Sequence, residues 1–261
     1  MKAMIFAAGL GTRLKPLTDT MPKALVPVDG VPLLKRVALC LKGAGMEELV
    51  VNTHHFAEQI ARYVGEEQGF GMPVHLSPEP EQLLETGGGI LHARPFLEGS
   101  GPFLAHNVDI LSNLDLRQLI ARSRPDALAT LVVSERKTSR YLLFDERLRL
   151  VGWTDLRSGE VRSPFPDLDP GRCRKLAFAG IHLISGTVFE TMEALGFQGR
   201  FSIIDFYLRA AADYPVYGYI QDGFRMLDVG KADSLTQAAA FARELDGEAA
   251  FCDSGEKCIH L

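Results

Sequence analysis

The residues best placed to do chemistry lie near the start of the chain. Ala7-Ala8-Gly9-Leu10-Gly11-Thr12-Arg13 follows the apolar run Met4-Ile5-Phe6, and Lys23 stands ten positions beyond Arg13. The apolar run reads as a buried first strand. Glycines at alternate positions then let the backbone turn sharply and present its N–H groups to an anion. Arg13 and Lys23 add two full positive charges. Backbone donors with two cations suit a polyphosphate, whose charge is about −4. The turn matches neither familiar phosphate fingerprint: Leu14 replaces the third glycine of Gly-x-Gly-x-x-Gly, and no Gly-Lys-Ser/Thr follows. A lone Gly-x-Gly after a strand is also a common tight turn, so the rest of the chain must decide.

Carboxylates at two distant places qualify as partners. Ala105-His-Asn-Val-Asp109 closes an apolar strand, and Phe224-Arg-Met-Leu-Asp228-Val-Gly230 lies near the other end of the chain. An aspartate after a strand can simply cap a turn. Beside a phosphate loop it can hold Mg²⁺, which takes one or two carboxylates together with substrate phosphates. A third segment, Ser77-Pro-Glu-Pro-Glu-Gln-Leu-Leu-Glu-Thr-Gly-Gly-Gly-Ile90, sets three glycines before a helical pattern. They read either as a hinge or as a place where a flat base and ribose lie against the backbone. His54 and His55 are adjacent on a strand end and point to opposite sides, which argues against a shared metal.

Taken at full length, Gly-x-Gly-Thr-Arg-x-x-Pro-Leu-Thr followed by Pro-Lys-x-Leu-x-Pro-Val resembles the signature of the sugar-1-phosphate nucleotidylyltransferases. These enzymes join a nucleoside triphosphate to a sugar 1-phosphate and release pyrophosphate. The resemblance implies that Ala8, Gly9, Gly11 and Thr12 wrap the triphosphate. It assigns Arg13 to the departing pyrophosphate and Lys23 to the phosphates where the new bond forms. Asp109, in Asn-Val-Asp where relatives usually have Asn-Gly-Asp, and Asp228, in Asp-Val-Gly, become ligands of Mg²⁺. Glu85, Thr86, Gly87 and Gly88 go to the nucleoside. Asn107 goes to sugar or ribose, and Gly180 of Phe178-Ala-Gly-Ile-His182 leaves room for the sugar. Lys231 replaces the usual threonine, and the Glu-Lys pair many relatives use for the sugar is absent. Glu-Thr-Gly-Gly-Gly-Ile is similar to the bacterial N-acetylmuramate-1-phosphate uridylyltransferase subgroup and related mannose-1-phosphate enzymes, which favours UTP and a cell-wall sugar. Cytidylyl transfer to an acceptor such as phosphocholine, or a non-catalytic nucleotide-binding module, are the alternatives.

Positioning these groups needs a rigid frame. Helical spacing over Pro32–Lys42 with Gly43 as cap, over Ala57–Val64 and over 90–96 alternates with strand-like runs at 2–7, 48–52, 73–77, 103–109 and 128–134. That alternation implies right-handed βαβ crossovers. The expected class is α/β: a Rossmann-like, mixed but mostly parallel sheet with helices on both faces. No hexapeptide repeat signals a C-terminal β-helix. Tyr141–Phe144 and Leu148–Trp153 suggest a hairpin, the proline-rich 161–174 an irregular loop, the wider 154–174 segment a part of the sugar pocket, and Ile203–Ala212 a helix capped by Ser202. Residues 1–245 read as one catalytic domain with a closing helix over 231–245, and 246–261 as a tail.

Composition sets the bounds. Lys and Arg total 28 against 33 Asp and Glu, a formal net charge of −5. That balance argues against general affinity for nucleic acid or anionic membrane, so any cationic site must be local. No run of about 18 apolar residues spans a bilayer, and no signal segment is evident. Cysteines at 40, 173, 252 and 258 lack metal-ligand spacing and fit reduced thiols in the cytoplasm, apart from a conceivable 252–258 pair. A monomer or small homo-oligomer is expected.

Overall fold

A computed structural model describes residues 1–79, 81–230 and 234–253, with side chains only as far as 247 in the last segment. The first half runs β1 (Lys2–Phe6), β2 (Pro27–Val28), β3 (Val31–Pro32), α1 (Leu33–Gly43), β4 (Glu48–Thr53), α2 (Ala57–Glu66), β5 (Val74–Pro78), α3 (Glu85–His92), α4 (Arg94–Leu97) and β6 (Phe103–Asn107). It continues through β7 (Ile110–Ser112), α5 (Leu116–Arg122), β8 (Ala129–Ser134), β9 (Arg140–Phe144), β10 (Leu150–Asp155) and β11 (Glu160–Arg162). The remainder is β12 (Arg174–Ile184), α6 (Val188–Ala194), α7 (Ile203–Ala210), β13 (Val216–Tyr219), β14 (Met226–Asp228) and α8 (Leu235–Asp253).

The main sheet has ten strands. β5, β4, β1 and β6 are neighbours and parallel, β12 runs antiparallel to β6, and β8 and β13 continue beyond β12. The antiparallel strands β9, β10 and β11 extend from the beginning of β12. Period-two alternation splits the core between the faces. Ala3 and Ile5 of β1 join Leu34, Val37 and Leu41 of α1, Ile60 of α2 and Leu119 of α5. Met4, between them, faces the other way, with Ile90 of α3, Phe189 and Met192 of α6 and Phe206 and Tyr207 of α7. Helices therefore cover both faces, as the alternation required. Among the described residues there is no β-helix.

Several boundaries move. α1 includes Gly43, and the left-handed turn after it falls on Gly45 (φ 91°). The helix expected over 90–96 starts at Glu85 and is interrupted at Ala93, so the three glycines lie inside its first two turns. The closing helix continues to Asp253 rather than stopping at Leu245, held by Ala238 and Ala242 in the core. Lys231, Asp233 and 254–261 lie outside the described residues, so the tail's end and any Cys252–Cys258 pair do too. The short pairs β2–β3 and β7–β14 escaped the strand patterns because they are only two or three residues long. Asp29 and Gly30, both at positive φ (50° and 76°), still mark the first as an Asp-Gly hairpin turn.

Candidate active site

The parallel strands β1, β4 and β6 end side by side. Chain leaving β1 moves to β4 on one side, while β6 pairs on the other, which makes a topological switch point where open α/β sheets bind ligands. A cleft of about 210 Å³ opens there. Phe6, Ala7, Ala8 and Gly9 line one wall, and Lys23, Asn107, Val108 and Asp109 another. Asn52, Leu83, Glu85 and Thr86 complete it.

Local chemistry shapes the glycine turn. Gly11 has φ 65°, and a Cβ there would come within 2.8 Å of Thr18 and 3.2 Å of the Lys23 stem. Only glycine satisfies both conditions. The Thr18 hydroxyl donates to the Gly11 carbonyl at 2.8 Å, folding residues 11–23 back on themselves. Lys23, at the head of a one-turn 3-10 helix, is thereby aimed into the cleft, where its ammonium pairs with the Asp109 carboxylate. Both side chains are largely buried, 11% and 16% exposed.

Behind the turn lies a polar network that the motif does not reveal. The Asn52 side-chain carbonyl accepts from the N–H groups of Ala7 (2.7 Å) and Ala8 (3.3 Å), and its amide donates to Glu79 at 2.7 Å. The other Glu79 oxygen accepts from the Leu84 N–H at 2.8 Å. Glu79 is 2% exposed, so this carboxylate is a buried strut joining the β1 turn to the segment before α3. The signals were present: an Asn ending an apolar strand, and a Glu between two prolines.

Asp228 and Arg13 form the outer edge. Asp228 is the cross-strand partner of Ile110, and the Val229 N–H donates to the Asp109 carbonyl at 2.8 Å, so the two aspartates sit on bonded segments. A side chain on Gly230 would begin 2.6 Å from the Asp228 carboxylate and 2.9 Å from the Arg13 guanidinium. Gly230 thus keeps cation and carboxylate close together. Among the described residues no three His, Cys, Asp or Glu side chains converge on one point. Two hard oxygen donors lying beside an anion turn nonetheless fit Mg²⁺, which completes its shell with water and phosphate oxygens.

Gly87 and Gly88 do not line the cleft. Their N–H groups both go to the Phe201 carbonyl (3.0 and 3.2 Å). A Cβ on Gly87 would meet the Phe201 ring at 2.3 Å, and one on Gly88 the Gly199 carbonyl at 2.2 Å. What approaches these glycines is the chain before α7. Glu85 and Thr86 do reach the cleft. Glu85 holds an unusual φ of 62° and receives the Arg200 guanidinium at 2.9 Å, while the Thr86 hydroxyl accepts from the Ile203 N–H at 3.0 Å. Ser202 caps α7, as its position suggested.

Gly180 has φ 76°, and a Cβ on it would lie 2.6 Å from the Asn107 amide. Its bare Cα therefore accommodates Asn107, which faces the cleft while Gly180 itself does not line it. Gly11, Thr12, Arg13 and Asp228 also stand outside its lining, at its rim or in its scaffold. His54 is bonded to the Glu79 carbonyl at 2.5 Å and His55 packs on Phe56. Under the cleft, His182 stacks on Phe6 and meets the Tyr207 hydroxyl at 2.7 Å. Burial pushes the His182 pKa down to about 3, with His106 adding a smaller push. Burial pushes His106 down to about 4, against weaker upward pulls from the Asn107 carbonyl and Asp109.

The pattern of the nucleotidyl transferase family matches residues 2–142. An N-acetylmuramate alpha-1-phosphate uridylyltransferase of Caulobacter vibrioides is 35% identical over 247 residues, covering 92% of this chain and 96% of that one. A protein of the same description from Neisseria meningitidis is 47% identical over 115 residues, 44% of this chain and 49% of that one. Among solved structures, an inositol-1-phosphate CTP transferase from T. maritima superposes with a TM-score of 0.74 at 16% identity, over 94% of this chain and 96% of that one. That likeness concerns the fold.

Proposed function

Because the chain belongs to the nucleotidyl transferase family, we propose that it joins UTP to N-acetylmuramate 1-phosphate, or to a similar hexose 1-phosphate, giving a UDP-sugar and pyrophosphate. It is an enzyme of the sugar-1-phosphate nucleotidyltransferase kind. The choice of base and sugar rests on similarity to the Caulobacter relative across almost the whole chain. The observation that carries the chemistry is the Lys23–Asp109 pair at the mouth of the glycine turn.

The reaction needs no protein nucleophile. A phosphate oxygen of the acceptor attacks the α-phosphorus in line, the bond to the β-phosphate oxygen breaks, and pyrophosphate leaves with that electron pair. The chain's contribution is to hold and neutralise. N–H groups of residues 9–12 cradle the triphosphate beside Ala8, whose own N–H is held by Asn52, and Lys23 offsets the repulsion between the two reacting phosphates. Arg13 offers a planar fork to the departing pyrophosphate. Glu85 and Thr86 face the nucleoside, and Asn107 the sugar or ribose. Asp109 and Asp228 would hold Mg²⁺, which would supply further positive charge at the phosphates. On this reading the enzyme works in the cytoplasm on cell-wall sugars, as a monomer or small homo-oligomer, without nucleic-acid or membrane partners. No helix among the described residues is long and apolar enough to cross a membrane.

The test is to incubate the protein with each nucleoside triphosphate and a panel of sugar 1-phosphates and phosphocholine, and to measure pyrophosphate. UTP with N-acetylmuramate 1-phosphate should give the highest kcat/KM. A higher value for another base or acceptor would replace this assignment.

A further inference from the structure

A second cavity, of about 350 Å³, has a cationic wall. Arg136, Arg140 and Arg162 line it together with Trp153, Phe178 and Ser202, and no acidic side chain does. Convergence of three guanidiniums is unexpected in a chain of net charge −5. Carboxylates stand behind two of them: Asp155 receives Arg140 at 3.2 Å, and Asp205 receives Arg162 at 2.6 Å. Glu160 lies 3.6 Å from the Arg162 Nε, beyond hydrogen-bond reach. That Nε is buried and unpartnered. The Arg162 guanidinium is stacked over the Trp153 ring at 4.1 Å, which fixes its plane. Arg136 has no carboxylate partner among the described residues. It donates to the Phe178 carbonyl at 3.1 Å and keeps further N–H groups for a ligand.

No residue lines both cavities, but two connections link their walls. Phe178 is two residues from Gly180 on β12, about 7 Å of strand, and Gly180 seats Asn107 of the cleft. Thr86, which lines the cleft, bonds the N–H of Ile203, next to Ser202 of the second cavity. β12 and the start of α7 thus carry residues of both cavities or their direct neighbours.

We infer that the Arg136, Arg140 and Arg162 pocket takes a carboxylate on the sugar ring, making the enzyme selective for acidic over neutral sugar 1-phosphates. This rests on the activity proposed above and specifies its acceptor class. Arginine suits the task because its rigid fork matches a carboxylate with paired charge-assisted bonds. Discrimination follows because a neutral sugar leaves those donors without a partner.

The experiment compares N-acetylmuramate 1-phosphate, its lactyl amide and N-acetylglucosamine 1-phosphate, which lacks the lactyl group. Binding to the wild-type protein and to Arg136→Gln and Arg162→Gln is read by calorimetry, and turnover by pyrophosphate release. The wild type should favour the carboxylate over the size-matched amide by about tenfold or more in Kd and in kcat/KM. Each variant should bring that ratio toward one. Equal wild-type affinity for acid and amide, or an acid preference that survives both substitutions, overturns the inference even when turnover is intact. A preference for the acid in binding with no pyrophosphate from any acceptor would instead overturn the proposed reaction and uphold the pocket.

Discussion

The Lys23 ammonium rests on the Asp109 carboxylate, a contact between residues 86 positions apart. One is delivered by the turn after β1 and the other by the end of β6, strands that pair directly. The pair brings a full positive charge to the edge where the glycine turn opens. It also means that the free protein already neutralises the carboxylate proposed for Mg²⁺. With a triphosphate bound, Lys23 would exchange Asp109 for phosphate oxygen, which would leave Asp109 and Asp228 to hold the ion.

Lys23→Ala removes that exchange. Turnover, measured as pyrophosphate release at saturating substrates, should fall by about 10²–10³-fold, the usual loss when one stabiliser of developing charge is deleted. A folded, near-normal enzyme carrying this substitution would exclude the assigned role.

Asn52→Ala tests the buried strut. It leaves the N–H groups of Ala7 and Ala8 and one Glu79 oxygen without their partner. Buried polar groups left unpaired cost about 1–3 kcal/mol, so the urea midpoint should drop and KM for the nucleotide should rise. An unchanged midpoint would show that the turn holds its shape without the strut.

Two glycine substitutions should separate structure from binding. A Cβ on Gly88 meets the Gly199 carbonyl at 2.2 Å, so Gly88→Ala should lose about 1–3 kcal/mol to overpacking. Gly9 lines the cleft with nothing within 4 Å of its Cβ position, so Gly9→Ala should keep stability and lose nucleotide affinity. Thermal melts and nucleotide titrations on both variants check the contrast, and a reversed pattern refutes it.

Acid should destabilise the fold through His182 and His106. Burial holds their folded pKa values at about 3 and about 4, below the ordinary histidine value of about 6.5, so the unfolded chain binds more protons in between. Stability therefore rises with pH through this window and falls on acidification from about pH 6.5 toward 4, by up to about 1.4 kcal/mol per pH unit for each histidine. Denaturant melts across that range should show the slope, and His182→Gln should flatten it. An equal slope in that variant would move the effect to other groups.

Much of this protein is written locally. The apolar run before Gly9, the glycines at 9 and 11, and strands alternating with helices specify a sheet with a glycine turn at its edge, because steric freedom and hydrophobic period are properties of short segments. Arg13, Lys23, Asp109 and Asp228 were all legible as charged residues beside turns. Other features were decided only by tertiary packing. That Gly87 and Gly88 seat Phe201 and Gly199 is not visible in their own segment. Asn52 and Glu79 become one strut, and Arg136, Arg140 and Arg162 one pocket, because β-strand order brings distant segments together. Contacts of that kind depend on which strands pair and which faces meet, and no window of neighbouring residues carries that information.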